Sequence, residues 1–87
     1  MIPSDAFMAI ADPNRRYLLE ELRRGPKTVN QLASGLPVSR PAVSQHLKVL
    51  LDAGLVSAQP KGTRRIYAVS AAGFMKLNIW LDQFWES

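Results

Sequence analysis

Apolar residues recur at Val43, Leu47 and Leu50, with Leu51 beside them, the i, i+4, i+7 spacing of one helix face. The opposite side of the same segment carries Ser44, Gln45 and Lys48, with Arg40 and Pro41 at its N-terminal end. Ser39 suits an N-cap, and Arg40 and Pro41 suit first helical positions, where a missing N–H costs nothing. Gly54 suits the left-handed residue just past a helix end. The pattern predicts one helix over 39–53, with an apolar anchor on one side and small polar groups and cations on the other. Its single carboxylate, Asp52, stands at the far end. A helix that lies in a DNA major groove needs this division, with donors and acceptors for base edges and cations for phosphates. A solvated surface helix would show the same wheel, so its neighbours decide between the two.

Upstream, Ser4 caps a short apolar helix through Ala11. Its Phe7, Met8 and Ile10 point to more than one side, as in a terminal helix that docks on something larger. Asp12-Pro13 opens a second helix that runs to Arg24 and stops at Gly25-Pro26, with Leu18, Leu19 and Leu22 as its buried stripe. Glu20 is placed to pair with Arg23 or Arg24. Arg15 and Arg16 oppose the dipole at that helix's start, which leaves either a phosphate contact or an internal ion pair to explain them. Thr28 and Gln31 form a capping box for a third helix, with Leu32, Ala33 and Leu36 apolar and Gly35 at its end. Only Leu36-Pro37-Val38 then separates it from Ser39. Two helices joined this tightly, the second with an unblocked polar face, make a helix-turn-helix unit.

Downstream, two short runs rich in β-formers flank Lys61-Gly62-Thr63 and predict a hairpin over 56–69, with Pro60 on an edge strand. Its tip carries Lys61, Arg64 and Arg65 without a nearby acid. Beside a helix-turn-helix such a hairpin is a wing, able to follow the DNA backbone or reach the minor groove; the plainer reading is an exposed turn. Ser70 then caps a last helix over 71–86. Phe74, Leu77, Leu81, Phe84 and Trp85 share one broad face of it, Trp80 lies on the flank, and Met75 and Ile79 lie nearly opposite. A helix closing a monomer core would bury one face, not both.

Length and charge sharpen this outline. Eighty-seven residues form one domain, 1–87. A chain this short buries only about 60–65% of its unfolded surface and often gains stability by pairing. We therefore expect a homodimer whose interface joins the first and last helices through Phe7, Met8, Ile10, Phe74, Leu77, Trp80, Leu81, Phe84 and Trp85. From Arg23 to Arg65 there are eight cations and one anion, whereas both ends are slightly acidic, within a net charge of +4. That concentration favours a polyanionic partner for the middle of the chain. There are no cysteines and one histidine, so thiol redox chemistry is excluded and an all-protein zinc site is not expected. No apolar run reaches the length of a membrane span and no signal-peptide pattern follows Met1, so a cytoplasmic location is expected, with no membrane partner. No nucleophile, Gly-rich loop or acid pair builds a catalytic constellation, so an enzyme is not expected.

The run Ser39-Arg40-Pro41-Ala42-Val43-Ser44-Gln45-His46-Leu47-Lys48-Val49-Leu50, followed by Ala53-Gly54-Leu55-Val56, resembles the recognition-helix signature of the ArsR (arsenic-repressor-like) family of bacterial winged-helix transcription factors. Asp12-Pro13-Asn14-Arg15-Arg16 with Leu18 resembles that family's second-helix opening, and Gly62-Thr63-Arg64-Arg65-Ile66-Tyr67 its wing. The likeness spans nearly the whole chain. It implies a mainly α fold with a β-hairpin wing, a winged helix-turn-helix of about five helices and two short strands. It also implies a homodimeric repressor on an inverted-repeat double-stranded DNA operator. By matching position, Ser39, Arg40, Pro41, Ser44, Gln45 and Lys48 face the groove, and Lys61, Thr63, Arg64 and Arg65 serve the wing. Side-chain chemistry assigns Arg40, Ser44 and Gln45 to base edges, and Lys48, Lys61, Arg64 and Arg65 to the backbone or minor groove. His46 matches a motif position but leans to the apolar side, which suggests a hydrogen bond within the domain; a phosphate contact is the alternative. Metal-sensing members carry a cysteine pair near the helix spelled here Thr28 to Ser34, which this chain lacks. Asp82 and Glu86 stand at i, i+4 with no histidine beside them, so no metal or cofactor is implied and the effector is left unknown. The alternative function is a winged helix whose basic surface meets an acidic protein.

Overall fold

The computed structural model describes residues 4–85. Five helices and one hairpin follow in the order α1 (Ser4–Ile10), α2 (Pro13–Arg23), α3 (Val29–Ala33), α4 (Arg40–Asp52), β1 (Val56–Lys61), β2 (Arg64–Val69) and α5 (Ala71–Asp82). This is the winged helix-turn-helix expected from the sequence.

Local chemistry sets most of the boundaries. The Asp12 carboxylate accepts from the backbone N–H groups of Asn14 (2.7 Å) and Arg15 (3.2 Å), opening α2 with Pro13 in its first turn. Thr28 and Gln31 close the capping box in both directions at the head of α3. Helix α4 ends in a full Schellman motif: Leu55 N–H donates to the Leu50 carbonyl and Gly54 N–H to the Leu51 carbonyl, each at 3.0 Å. Gly54 takes φ +76°, a conformation that penalises a Cβ. In the hairpin Lys61 faces Arg64 across the two-residue loop Gly62-Thr63. With φ positive at Gly62 alone, the loop has the form of a type II′ turn, which matches the strand twist.

Val43, Leu47 and Leu50 of α4 are fully buried and meet Leu18, Leu19 and Leu22 of α2, Leu32 of α3, Leu55, Val56 and Tyr67 in one core. Ala6 and Ala9 of α1 and Leu77 of α5 close that core from the remaining side. Five details depart from expectation. Ser4 is the first residue of α1 rather than its cap, and α1 ends at Ile10. The hairpin has a third partner, because Lys27 and Tyr67 exchange two backbone hydrogen bonds (3.0 and 2.8 Å). Glu21, not Glu20, approaches Arg24, at 3.9 Å. The Ser70 side chain makes no capping bond; its backbone N–H instead donates to the Leu55 carbonyl at 2.9 Å, tying the start of α5 to the end of α4. Helix α5 ends at Asp82, followed by a turn through Trp85, and Glu86 lies outside the described residues. Among the described residues no helix is long and apolar enough to cross a membrane.

Candidate nucleic-acid interface

Because Val43, Leu47 and Leu50 anchor one side of α4 in the core, the other side is forced outward. Ser39, Arg40, Pro41, Ser44, Gln45 and Lys48 are all exposed. The Ser39 hydroxyl accepts from the Ala42 N–H at 3.3 Å, so its oxygen already serves the helix start, while its own O–H stays free to donate. A cleft of ≈ 750 Å³ runs between this face and the hairpin. Arg40, Ser44, Gln45 and Lys48 line the α4 side, and Thr63, Arg64 and Arg65 line the wing side. Leu51 and Tyr67 contribute its apolar lining. Ser39, Pro41 and Lys61 are exposed but do not line the cleft.

Two contacts orient the cations there. The Arg65 guanidinium lies 5.7 Å from the centre of the Tyr67 ring, a stacking that holds a flexible side chain over a buried aromatic. Lys48 Nζ lies 3.2 Å from Asp52 Oδ2, one turn along α4, with both side chains 69% exposed. A pair so open to water is weak, so Lys48 can exchange Asp52 for another anion at little expense. Sequence reasoning missed Thr28 and Asn30, which also line the cleft from the start of α3. The signal was present in the capping box, which places polar residues at the start of the helix preceding α4.

Arg15 and Arg16 are engaged within the domain, by backbone carbonyls instead of the carboxylate of an ion pair. Arg15 Nε and Nη2 donate to the carbonyls of Ala9 (2.6 Å) and Met8 (3.0 Å), and Arg16 Nη1 donates to those of Ile10 (2.8 Å) and Ala11 (3.0 Å). The charges that oppose the dipole of α2 complete the C-terminus of α1, where carbonyls lack intrahelical partners and cations are favoured. His46 is half-buried, with Nδ1 3.4 Å from Arg15 Nη1, which agrees with the intradomain hydrogen bond rather than the phosphate contact. At Asp12, desolvation pushes the carboxyl up. The N–H groups of Arg15 and Asn14 and the nearby charge of Arg15 outweigh it and hold the carboxyl below the usual carboxylate range.

The side of the molecule formed by α1 and α5 is apolar and largely uncovered. Phe7 meets Trp80 edge-on at 4.9 Å, and Trp80 packs against Phe84 at 4.7 Å. Met8, Met75, Ile79, Phe84 and Trp85 are each more than 60% exposed, and Leu81 lies at the margin of exposure. One of the interface expectations needs correction. Leu77 is 4% exposed and belongs to the core, because α5 turns that residue inward. Met75 and Ile79, left out of the expected interface, are among the most exposed apolar side chains. Phe7, Ile10 and Phe74 are half-buried, packed against the core.

The family model described as "Bacterial regulatory protein, arsR family" matches residues 12–58. The chain is 53% identical over 83 residues to the HTH-type transcriptional regulator Rv2034 of Mycobacterium tuberculosis (strain ATCC 25618 / H37Rv), a match covering 95% of this chain and 78% of that protein. It is 31% identical over 81 residues to the transcriptional repressor SdpR of Bacillus subtilis (strain 168), covering 93% and 90% of the two chains. Among solved structures, a possible transcriptional regulator for arsenical resistance superposes with a TM-score of 0.86 at 42% identity, over 95% of this chain and 86% of that one.

Proposed function

Since the chain belongs to the arsR family of bacterial regulatory proteins, a class of transcriptional regulators rather than enzymes, we propose that it is a homodimeric repressor that binds an inverted-repeat operator. Helix α4 lies in the major groove and the wing follows the backbone. The observation that carries this reading is the cleft whose one wall is the outward polar face of α4 and whose other wall is the cationic wing. Arg40 and Gln45 are the base readers, Arg for guanine and Gln for adenine edges, with Ser39, Pro41 and Ser44 beside them. Lys48, Lys61, Thr63, Arg64 and Arg65 hold phosphates or reach the minor groove, and that contact is sequence-independent.

Pairing follows from the apolar side. Met8, Met75, Ile79, Leu81, Phe84 and Trp85 are exposed on α1, α5 and the turn after it, and Trp80 is half-buried. Burying one large side chain stabilises by about 1.5–3 kcal/mol, so several left in water favour association. A second copy related by a two-fold axis would bring two α4 helices to successive turns of one duplex, about 34–36 Å apart. The test is selection of binding sites from a random DNA pool by the purified protein. The expected result is a two-fold symmetric site with half-sites one turn apart. Recovery of no preferred sequence, together with binding to an acidic protein, would overturn the proposal.

A further inference from the structure

We propose that Arg15 and His46 are a positioning pair that fixes α4 relative to the apolar face carried by α1 and α5; the inference rests on the duplex-binding reading above. Arg15 belongs to α2, yet its guanidinium reaches groups on two other elements. Nε and Nη2 hold the carbonyls of Ala9 and Met8 in the last turn of α1, and Nη1 faces His46 Nδ1 on α4. The α1 end of this joint lies within the apolar face, because Met8 is exposed there and its neighbour Phe7 packs on Trp80. At the α4 end His46 directly follows Gln45, which looks into the cleft. A guanidinium is planar, always charged and presents its donors in a fixed fork, so it sets the relation between the groups it holds. To accept from Arg15, the imidazole keeps Nδ1 bare and carries its proton on Nε2. In a two-fold pair the separation of the two α4 helices depends on how each sits on the shared apolar face. Loosening this joint moves the helices off successive grooves. That weakens binding to a symmetric operator, and it leaves the phosphate contacts that any duplex offers.

Two variants of nearly equal shape separate this role from others. His46→Asn keeps an acceptor oxygen where Nδ1 stands, and His46→Leu removes it. Each is titrated against the operator selected by the parent protein and against an unrelated duplex, over a series of salt concentrations. The expected result is parental binding for His46→Asn. For His46→Leu it is a loss of roughly fivefold or more on the operator only, with the salt slope unchanged. Parental operator binding by His46→Leu overturns the pair. So does a loss on both duplexes with a shallower salt slope, which would make His46 a phosphate contact. Arg15→Lys keeps the charge but not the fork. It reads the same step should His46→Leu fail to fold: operator-only loss supports the pair, and parental binding overturns it. A parent protein that selects no operator overturns the duplex reading and the pair with it, a failure visible before any variant is made.

Discussion

Gln45 and Arg64 stand on opposite walls of one cleft, and their chemistry predicts opposite signatures. A Gln amide pairs with one base edge, so Gln45→Ala is expected to lower operator affinity by about 1–3 kcal/mol and relax specificity at one position. A wing arginine meets phosphate, so Arg64→Ala is expected to weaken every duplex alike and reduce the salt slope by about 0.9. Both are read by titration against operator and scrambled DNA over a salt series. Asp12 offers a test in the absence of DNA. Its carboxyl is held below the usual range by the N–H groups that it caps and the charges around it. A carboxyl depressed in the folded state contributes stability that is present above its unfolded pKa and lost as pH falls through the folded value. Asp12→Asn keeps a good cap and removes the charge. In urea unfolding it is expected to be less stable than the parent at neutral pH, with the difference closing as the parent's carboxylate protonates in acid. At this scale the exposed face of α4 was legible because cap, wheel and stop lie in one continuous stretch. The roles of Arg15 and Arg16 were not, because their partners are backbone carbonyls of another helix, which leave no mark in the sequence.

At the scale of elements, two glycines test how α4 and α5 meet. Gly54 has φ +76° and open space where a Cβ would stand, so Gly54→Ala meets only backbone strain, about 1–2 kcal/mol. Gly73 has an ordinary helical conformation, but a Cβ there would run into the Gly54 carbonyl. Backbone cannot step aside as a flexible side chain does, so Gly73→Ala is expected to destabilise more than Gly54→Ala and to displace α5. Thermal unfolding of both variants checks the order, and equal midpoints would contradict it. The contrast explains what sequence reading could reach. Gly54 ends a periodic apolar pattern, and a helix stop is a local event. Gly73 is small because of a carbonyl nearly twenty positions away, and the Ser70 N–H donates to the Leu55 carbonyl across a similar gap, a tie that no local pattern announces. Lys27 pairing with β2 was hidden for the same reason, since a single bridged residue has no periodicity of its own.

At the scale of the whole molecule, the chain is longer than its mass requires. Its radius of gyration is 13.6 Å and its longest extent 48 Å, whereas a compact domain of this size has a radius of gyration of about 12 Å. Helix α5 accounts for part of this: of its large apolar residues only Leu77 is buried, while Met75 and Ile79 face water. A monomer would gain by shortening or polarising such a helix; a subunit of a symmetric pair needs it as it stands. Ile79→Glu separates the two cases, since the residue is 67% exposed in the single chain and its replacement removes no core contact. In a monomer such a surface change shifts stability by less than about 0.5 kcal/mol and leaves the sedimentation coefficient alone. In a dimer it presses a carboxylate against apolar side chains of the other copy, and the loss of water costs more than the exposed Lys76, three residues before it, can return. The expected result is sedimentation as a monomer at micromolar concentration, with helical content retained by circular dichroism. Operator affinity should then fall toward that of a single half-site, because one wing and one α4 keep their contacts and lose the gain from simultaneous engagement. A variant that still sediments as a dimer would move the interface off this face of α5.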